Sequence, residues 1–548
     1  MFGLDDSDEG DFEPIEEQAR RLDLDSFLLK LHIEVERQRR HVDIVWRTSE
    51  DAVFDLVRLL DQNLSDSLPD VRIIVVDEMQ DMNPITARLV EHLQRAPRTF
   101  VTAAGDFDQV IHSRRGATVD FVMSLVNAAG VERLRLSKTF RHGPAMTHAT
   151  AFKKTTPTVS GRVVRADIWV REYSASDPAT AVPHVVKAIK TWRTSDEGNK
   201  SEDQAVILRS PHLSIGIESA LTAEGIAYRC EGFDSYLVRP ETLVLRGIVA
   251  YALKAPETIA NPATRLRALE AMLQWQEFVW ADARLQDLDL ASKDAGTWAA
   301  FVEGLLLRPR TAGDNADAQL SEEQVAVRES VQLARIRELE LAGRKTEAED
   351  MRARLHDART RAVEAPQERA ARERLQRVVH YLDAADPALS AHVVLLEVAR
   401  LLDVKAVARR IFIEPNNARE ASASIDGFIA LARSQNKPLS EFAKWLQAQE
   451  LILAKTRAHR ALLLATVEAA KGQEFGSVII PFLTEGEFPL ANVHEREEAN
   501  RFYVSVTRMR DELTLVVAAG QPHRYVTRMR VTDSLKRGNA AAHDDGPE

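Results

Sequence analysis

The stretch that most constrains this chain is Val71–Asp81, VRIIVVDEMQD. Ile73, Ile74, Val75 and Val76 are β-branched and consecutive, the run is apolar apart from Arg72, and Asp77 and Glu78 follow at once. A short, uninterrupted apolar run predicts a strand buried on both faces, and so a parallel sheet. Ligands of open α/β sheets bind at the carboxyl ends of strands. An acidic pair there is placed to hold a hydrated Mg²⁺ and to polarise a water. Taken alone, the same pair also fits a surface Asp-Glu after any strand.

A second stretch of this kind follows. Thr99–Ala104, TFVTAA, predicts another buried strand and runs into Gly105-Asp106-Phe107-Asp108-Gln109. The two strand-then-acid stretches lie about 30 residues apart, a βαβ spacing. Between them Pro84 opens a helix expected over Ile85–Gln94. Upstream, Phe54, Val57, Leu59 and Leu60 form one apolar helical face with Ser49 as N-cap. Downstream come a helix near Val119–Ala129, a short strand at Leu134–Leu136 and a loop at Ser137–Pro144. Further strands are expected over 163–170 and 205–208, and a helix from His212 to Glu224. From Leu253 to Gln449 strand signals fade. Residues 318–378, rich in Ala, Glu, Arg and Leu, read as a solvated helical hairpin. Strand signals return at Ala461–Ala465, Ser477–Pro481 and Leu513–Ala518. The order α/β, all-α, α/β is simplest if the helical block is inserted within the second α/β unit.

At 548 residues the chain is too long for one core. No window approaches the roughly 18–20 apolar residues of a bilayer span. The acidic start, MFGLDDSDEGDFEP, lacks the basic and apolar regions of a signal peptide. Cys230 is the single cysteine, which excludes an intrachain disulfide and a cysteine zinc cluster and suits a reducing cytoplasm. Net charge is −11, but residues 1–25 hold ten acids and two bases; the remainder has 70 basic and 73 acidic residues. A near-neutral body can carry a basic groove, so net charge does not exclude nucleic acid.

Five stretches line up in order: VVDEMQD at 75–81, AAGDFDQVIHSRRGA at 103–117, LSKTFRHG at 136–143, ATVEAAKGQEF at 465–475 and EEANRFYVSVTRMR at 497–510. Their order and spacing, with a large helical block before the fourth, resemble the UvrD/Rep-type superfamily 1 DNA helicases. The resemblance implies two RecA-like, P-loop NTPase-type parallel-sheet lobes that clamp ATP and step along single-stranded DNA. The fold class expected is α/β, the first lobe incomplete and the second carrying a large all-α insertion. The expected layout is an acidic tail and helical remnant over 1–70, a partial first lobe over 71–132 and the second lobe over 133–255 and 453–535. A helical insertion would occupy 256–452 and a disordered tail 536–548.

The resemblance also implies roles. Asp77 would hold Mg²⁺ and Glu78 would orient and deprotonate the attacking water. Gln80 and Asp81 would couple the site to neighbouring loops, with Gly105 and Asp106 beside the nucleotide. Gln109 would sense the γ-phosphate, and Arg141 and Arg508 would reach phosphate from the second lobe. Glu474 would approach the ribose, and Gly472 would let backbone come close to nucleotide or DNA. Taken singly, Arg508 could instead cap a helix C-terminus or pair with Asp511. A DNA track would include His112, Arg114, Phe140, Thr466 and Lys471. Here the chain departs from the family. His112 and Arg114 stand at the expected tyrosine and tryptophan, Glu468 at the usual histidine, and Ala499-Asn500 at the usual basic pair, with Arg501 displaced by one.

The family's Walker A loop, GxxxxGK(S/T), is not found in these 548 residues. Gly343-Arg344-Lys345-Thr346 and Gly198-Asn199-Lys200-Ser201 end correctly but follow no strand. The chain therefore reads as starting midway through the first lobe. A misassigned start or truncation, a second polypeptide supplying the Walker A half, and a degenerate helicase-like protein that binds DNA or a partner without turnover all stay open. ATP, Mg²⁺ and single-stranded or partly duplex DNA are the ligands the resemblance implies. A membrane is not among the expected partners.

Overall fold

The computed structural model describes residues 49–62, 71–95, 99–113, 130–154, 158–162, 166–195, 200–275, 295–307, 366–412, 414–455, 461–491 and 493–532, with scattered positions between them. The expected acidic tail, the C-terminal tail, Arg114 and most of the 318–378 hairpin lie outside the described residues. The chain divides into two units, Met1–Arg133 and Leu134–Glu548.

In the first unit, helix α1 (Ser49–Asp61) buries Val57 and Leu60. Strand β1 (Ile73–Val76) is followed by helix α2 (Pro84–Gln94) and strand β2 (Phe100–Ala103). Asn83 caps α2 by accepting the Thr86 N–H at 2.9 Å, and Pro84 opens its first turn. Asp61 ties α1 to α2 through Arg88 at 3.0 Å and His92 at 2.8 Å. β1 and β2 pair in parallel, Ile73 opposite Phe100 through Val76 opposite Ala103.

One face of this pair packs on a small core of Met79, Met82, Ala87 and Val122. The other face is open: Ile73, Val75 and Phe100 are 67%, 74% and 72% exposed. This corrects the expectation of strands buried on both faces. An unbroken apolar run marks a strand able to be covered twice; here the described residues of the unit supply two strands and a layer on one side.

The second unit holds a six-stranded, all-parallel sheet in the order β5-β10-β9-β6-β8-β7. These strands are β5 (Asp167–Tyr173), β6 (Gln204–Leu208), β7 (Tyr228–Glu231), β8 (Leu462–Thr466), β9 (Phe475–Leu483) and β10 (Met509–Ala518). β6 (QAVIL) and β9 (FGSVIIPFL) are buried along their whole length, as interior strands of a parallel sheet are. Helices α4 (Ala181–Ser195) and α5 (Ser214–Ala223) cover one face with Val185, Ile189, Ile217 and Leu221. Ahead of the sheet lie a two-stranded parallel pair, β3 (Lys138–Thr139) and β4 (Val159–Ser160), and helix α3 (Pro144–Thr150). The strand expected at Leu134–Leu136 is instead exposed coil, and pairing begins at Lys138, inside the expected loop. Leucines 134 and 136 are 83% and 89% exposed, so no burial drives them into a ladder.

Between β7 and β8 every described element is helical: α6 (Pro240–Ala252), α7 (Pro262–Trp275), α8 (Ala295–Phe301), α9 (Pro366–Ala384), α10 (Ala391–Leu401), α11 (Val404–Ile411), α12 (Pro415–Gln435) and α13 (Leu439–Ala454), with short 3-10 and π turns. They share one core, to which Ile215 of α5 also belongs. The insertion is pinned where it leaves and re-enters. Buried Arg246 donates to Glu450 at 2.7 Å and to the Leu237 carbonyl, and Glu450 accepts the Ala260 and Asn261 N–H groups. After β8 come the short helix α14 (Val467–Ala470), then β9, α15 (Glu495–Val506), β10 and α16 (Arg524–Met529). Among the described residues, no helix is long and apolar enough to cross a membrane.

Candidate nucleotide and nucleic-acid site

In the first unit the acids sit where β1 ends. Asp77 is exposed, and its Oδ1 accepts the Glu78 N–H at 2.9 Å. Glu78 adopts the left-handed conformation, φ 51°, ψ 44°, and turns the chain from strand into a 3-10 turn over Met79–Asp81. A non-glycine residue there is uncommon and persists where surrounding contacts over-determine it. The contacts are present. Fully buried Gln80 donates through Nε2 to Glu78 Oε2, and its Oε1 accepts the Asp106 N–H at 2.9 Å. Met79 N–H donates to the Ala104 carbonyl at 2.8 Å, and Asp81 N–H to that of Glu78 at 2.9 Å.

Across the pair, Asp106 accepts the Asp108 N–H and the Gln109 side-chain amide, both at 3.0 Å. Asp77–Asp81 and Gly105–Gln109 are thus one hydrogen-bonded assembly at the carboxyl ends of β1 and β2. Gly105 permits the approach: a Cβ there would lie 2.5 Å from Gln80 Oε1 and 2.6 Å from Met79 Cγ. His112 is half-buried, just beyond buried Val110 and Ile111.

The second unit gathers residues from three distant stretches. Phe140, just after β3, is 67% exposed, with Lys138 Nζ 5.4 Å from its ring centroid. Arg141 Nε donates to Glu474 Oε1 at 2.5 Å. Arg162 holds the Arg141 carbonyl at 2.6 Å. Arg508 is 1% exposed; its Nε donates to the Val504 carbonyl at 3.0 Å and Nη1 to that of Gln473 at 3.5 Å. It therefore closes the C-terminal end of α15, the local alternative raised by its position, while reaching the residue before Glu474. Asp511 lies instead 3.6 Å from Arg162.

His142 is buried beside these cations. Burial first, then the charges of Arg141 and Arg508, push its imidazole down to about 4. Thr466 caps α14, accepting the Ala469 N–H at 3.3 Å; Lys471 is half-buried at the helix end, and exposed Gly472 has φ 82° with open space at its Cβ position.

Sequence reasoning missed Arg209 and Glu498, a buried pair with Arg209 Nε 3.0 Å and Nη2 2.6 Å from Glu498 Oε1. The signal was a base directly after the buried β6 run. Gln473 was missed too: its side chain bridges Glu231 at 3.0 Å and the Ala469 carbonyl at 2.9 Å.

Asp77 Oδ2 has no protein partner among the described residues, and those residues hold no cluster of three or more His, Cys, Asp or Glu side chains able to form a metal cage. A single strand-end carboxylate fits Mg²⁺, which keeps its waters and takes further ligands from phosphates. Such a site can hold a hydrated divalent ion and an activated water in one unit. The second unit, by itself, presents guanidinium and carboxylate groups on one loop cluster.

The UvrD/REP helicase N-terminal domain model matches residues 20–129, and the UvrD-like helicase C-terminal domain model matches residues 342–520. The chain belongs to the UvrD/Rep helicase family. In UvrD/Rep terms the mixed α/β fold with parallel sheets is that of RecA-like lobes. DNA helicase II of Escherichia coli (strain K12) is 28% identical over 253 residues, 42% of this chain and 34% of that protein. DNA helicase II of Haemophilus influenzae is 24% identical over 474 residues, 81% of this chain and 55% of its own. ATP-dependent DNA helicase UvrD2 of Mycobacterium tuberculosis is 28% identical over 254 residues, 41% and 35% of the two chains. The chain thus spans about a third to just over half the length of these UvrD/Rep-type relatives.

Proposed function

We propose that this chain is the motor of a UvrD/Rep-type ATP-dependent helicase or translocase that couples ATP hydrolysis to 3′-to-5′ movement on single-stranded DNA. DNA repair, recombination or mobile-element biology in the cytoplasm is the setting proposed. The observation that carries the reading is the convergence of Arg141, Glu474 and Arg508 on one loop cluster, from three stretches far apart in sequence. The hydrogen-bonded assembly of Asp77, Glu78, Gln80, Asp106 and Gln109 supplies the complementary chemistry.

In this reading Asp77 holds Mg²⁺, which when bound supplies charge neutralisation at the phosphate oxygens. Glu78 takes a proton from the attacking water. Gln80 and Asp106 fix Glu78 and Gln109 in mutual register, so a change at the γ-phosphate is felt in both stretches. Arg141 and Arg508 stabilise charge on the transferring group; phosphoryl transfer is mostly positioning and charge stabilisation, and one such arginine contributes ~10³–10⁵ in rate. Glu474 and Gly472 receive the nucleoside. Phe140 offers a stacking face to a base, with His112, Arg114, Thr466 and Lys471 along the strand.

A second reading, a helicase-like DNA- or partner-binding protein without turnover, is favoured by one observation: these 548 residues contain no GxxxxGK(S/T) loop. ATP hydrolysis by the purified chain, with and without single-stranded DNA, separates the two. The motor reading expects DNA-stimulated hydrolysis that Glu78→Gln abolishes while DNA binding is kept. Hydrolysis surviving that change removes it. No turnover, alone or with an added Walker A-bearing chain, selects the second reading.

A further inference from the structure

Two departures from the UvrD/Rep pattern meet in space. Glu468, in α14 where the family carries a histidine, accepts Arg501 Nε at 2.7 Å. Arg501, one place after the family's basic pair, is 4% exposed and lies in α15. It also donates to Glu497 at 2.6 Å and to Glu498 at 3.2 Å. Glu498 is fully buried, held by Arg209, and accepts the Leu490 N–H at 3.0 Å. Three carboxylates therefore share two guanidiniums between the end of β6, α14 and α15. Burial alone would raise the Glu468 carboxyl, but the Arg501 charge and hydrogen bond outweigh it and hold the group below its ordinary range, ionised.

An ionised carboxylate in the turn carrying Thr466 and Lys471 would repel a phosphate backbone unless its charge were taken up. We propose that Arg501 is a positioning residue for nucleic-acid binding: by pairing with Glu468 it offsets part of that charge, pins the α14 turn to α15 and turns the carboxylate inward, away from a single strand's phosphates. The pair replaces, by a contact within the protein, what a cationic residue at position 468 would offer directly. Arg501 acts through Glu468 and touches no nucleic acid itself. The proposal rests on the single-stranded-DNA reading above.

The test is equilibrium binding of a fluorescent oligothymidylate to the full chain at low and high salt, with melting temperature measured in parallel. Arg501→Met should lose about tenfold in affinity at low salt, and less at high salt where the exposed charge is screened. Adding Glu468→Gln to Arg501→Met should restore most of the loss. Glu468→Gln alone should bind at least as tightly as the parent, and Arg501→Lys, which keeps the charge but not the three-pronged fork, should fall between the parent and Arg501→Met. The inference is overturned if the double variant binds no better than Arg501→Met, or if Glu468→Gln weakens binding. Should Arg501→Met not fold, Glu468→Gln decides: binding weaker than the parent overturns the inference. A parent chain that binds no oligothymidylate removes the functional reading itself, and this inference with it; a parent that binds while the variants miss the pattern removes the inference alone.

Discussion

Arg141 and Glu474 lie 333 positions apart in the chain and meet at 2.5 Å, Nε to Oε1, just ahead of the interior strand β9. The contact joins the loop after β3 to the turn before β9, so two residues expected to serve different parts of a nucleotide are coupled before any ligand enters the account. Both side chains are partly exposed, 29% and 38%, so the pair adds little to stability and is open to exchange of partners.

That exchange separates the two roles kinetically. Arg141→Ala is expected to lower kcat for DNA-stimulated ATP hydrolysis by about 10³-fold or more. Glu474→Ala should mainly raise the KM for ATP, by about tenfold or less, with kcat nearly kept. Steady-state ATPase assays read both; a larger kcat loss at Glu474 than at Arg141 would reverse the assignment.

Gly105 is a packing requirement. Gly105→Ala would drive a methyl into Gln80 Oε1 and Met79 Cγ, breaking the link between the two acid stretches. A loss of about 1–3 kcal/mol is expected for the first unit. Urea denaturation followed by a probe in that unit measures it, and an unchanged midpoint would rule the close approach out.

Stability should fall with acid through His142. Its folded value is about 4, below the ordinary 6.5, because burial and two neighbouring arginines oppose the charge. The unfolded chain therefore binds a proton first. The contribution is intact above pH 6.5 and lost progressively as pH drops toward 4, by up to about 3 kcal/mol. His142→Gln should flatten that part of the stability–pH curve; a slope unchanged by the substitution would place the titration elsewhere.

The insertion root gives a sharper stability test. Glu450→Ala strands buried Arg246 without its carboxylate and should cost about 3–5 kcal/mol. Replacing both partners together, Arg246→Met with Glu450→Leu, should cost less than the single change. Denaturant titration of the three variants decides it.

Much of this architecture was legible because its strands are continuous apolar runs and its chemistry follows them directly. Val71–Asp81 and Thr99–Gln109 gave both strand and acids, and Pro84 marked a helix start; the Asn83 cap came only with the structure. Burial of β1 and β2 was not legible, because an apolar run records tolerance for two covered faces and not the number of layers present. β7 escaped notice because Arg229 and Glu231 interrupt its apolar content; at the sheet edge those side chains pair with each other at 2.7 Å. Leu134–Leu136 invited a strand that begins instead at Lys138. Arg508 was legible as a cap for a helix C-terminus, but not its reach to the Gln473 carbonyl, which only the packing of the turn before β9 against α15 creates. Glu468 and Arg501 were each visible as departures; only the fold makes them partners.

The adjacency of β7 and β8 has an evolutionary reading. The helical insertion departs after Glu231 and returns at Leu462; the two strands run parallel, with Glu231 opposite Ala465 and Leu462 opposite Tyr228, so the block leaves one end of the strand pair and re-enters at the other, about 10 Å away along the strands. A segment whose two ends are fixed on neighbouring strands of one sheet can be enlarged or exchanged without altering the register of the host sheet. The parallel sheet is thus a socket, and its strand pairing is independent of what the helical block holds.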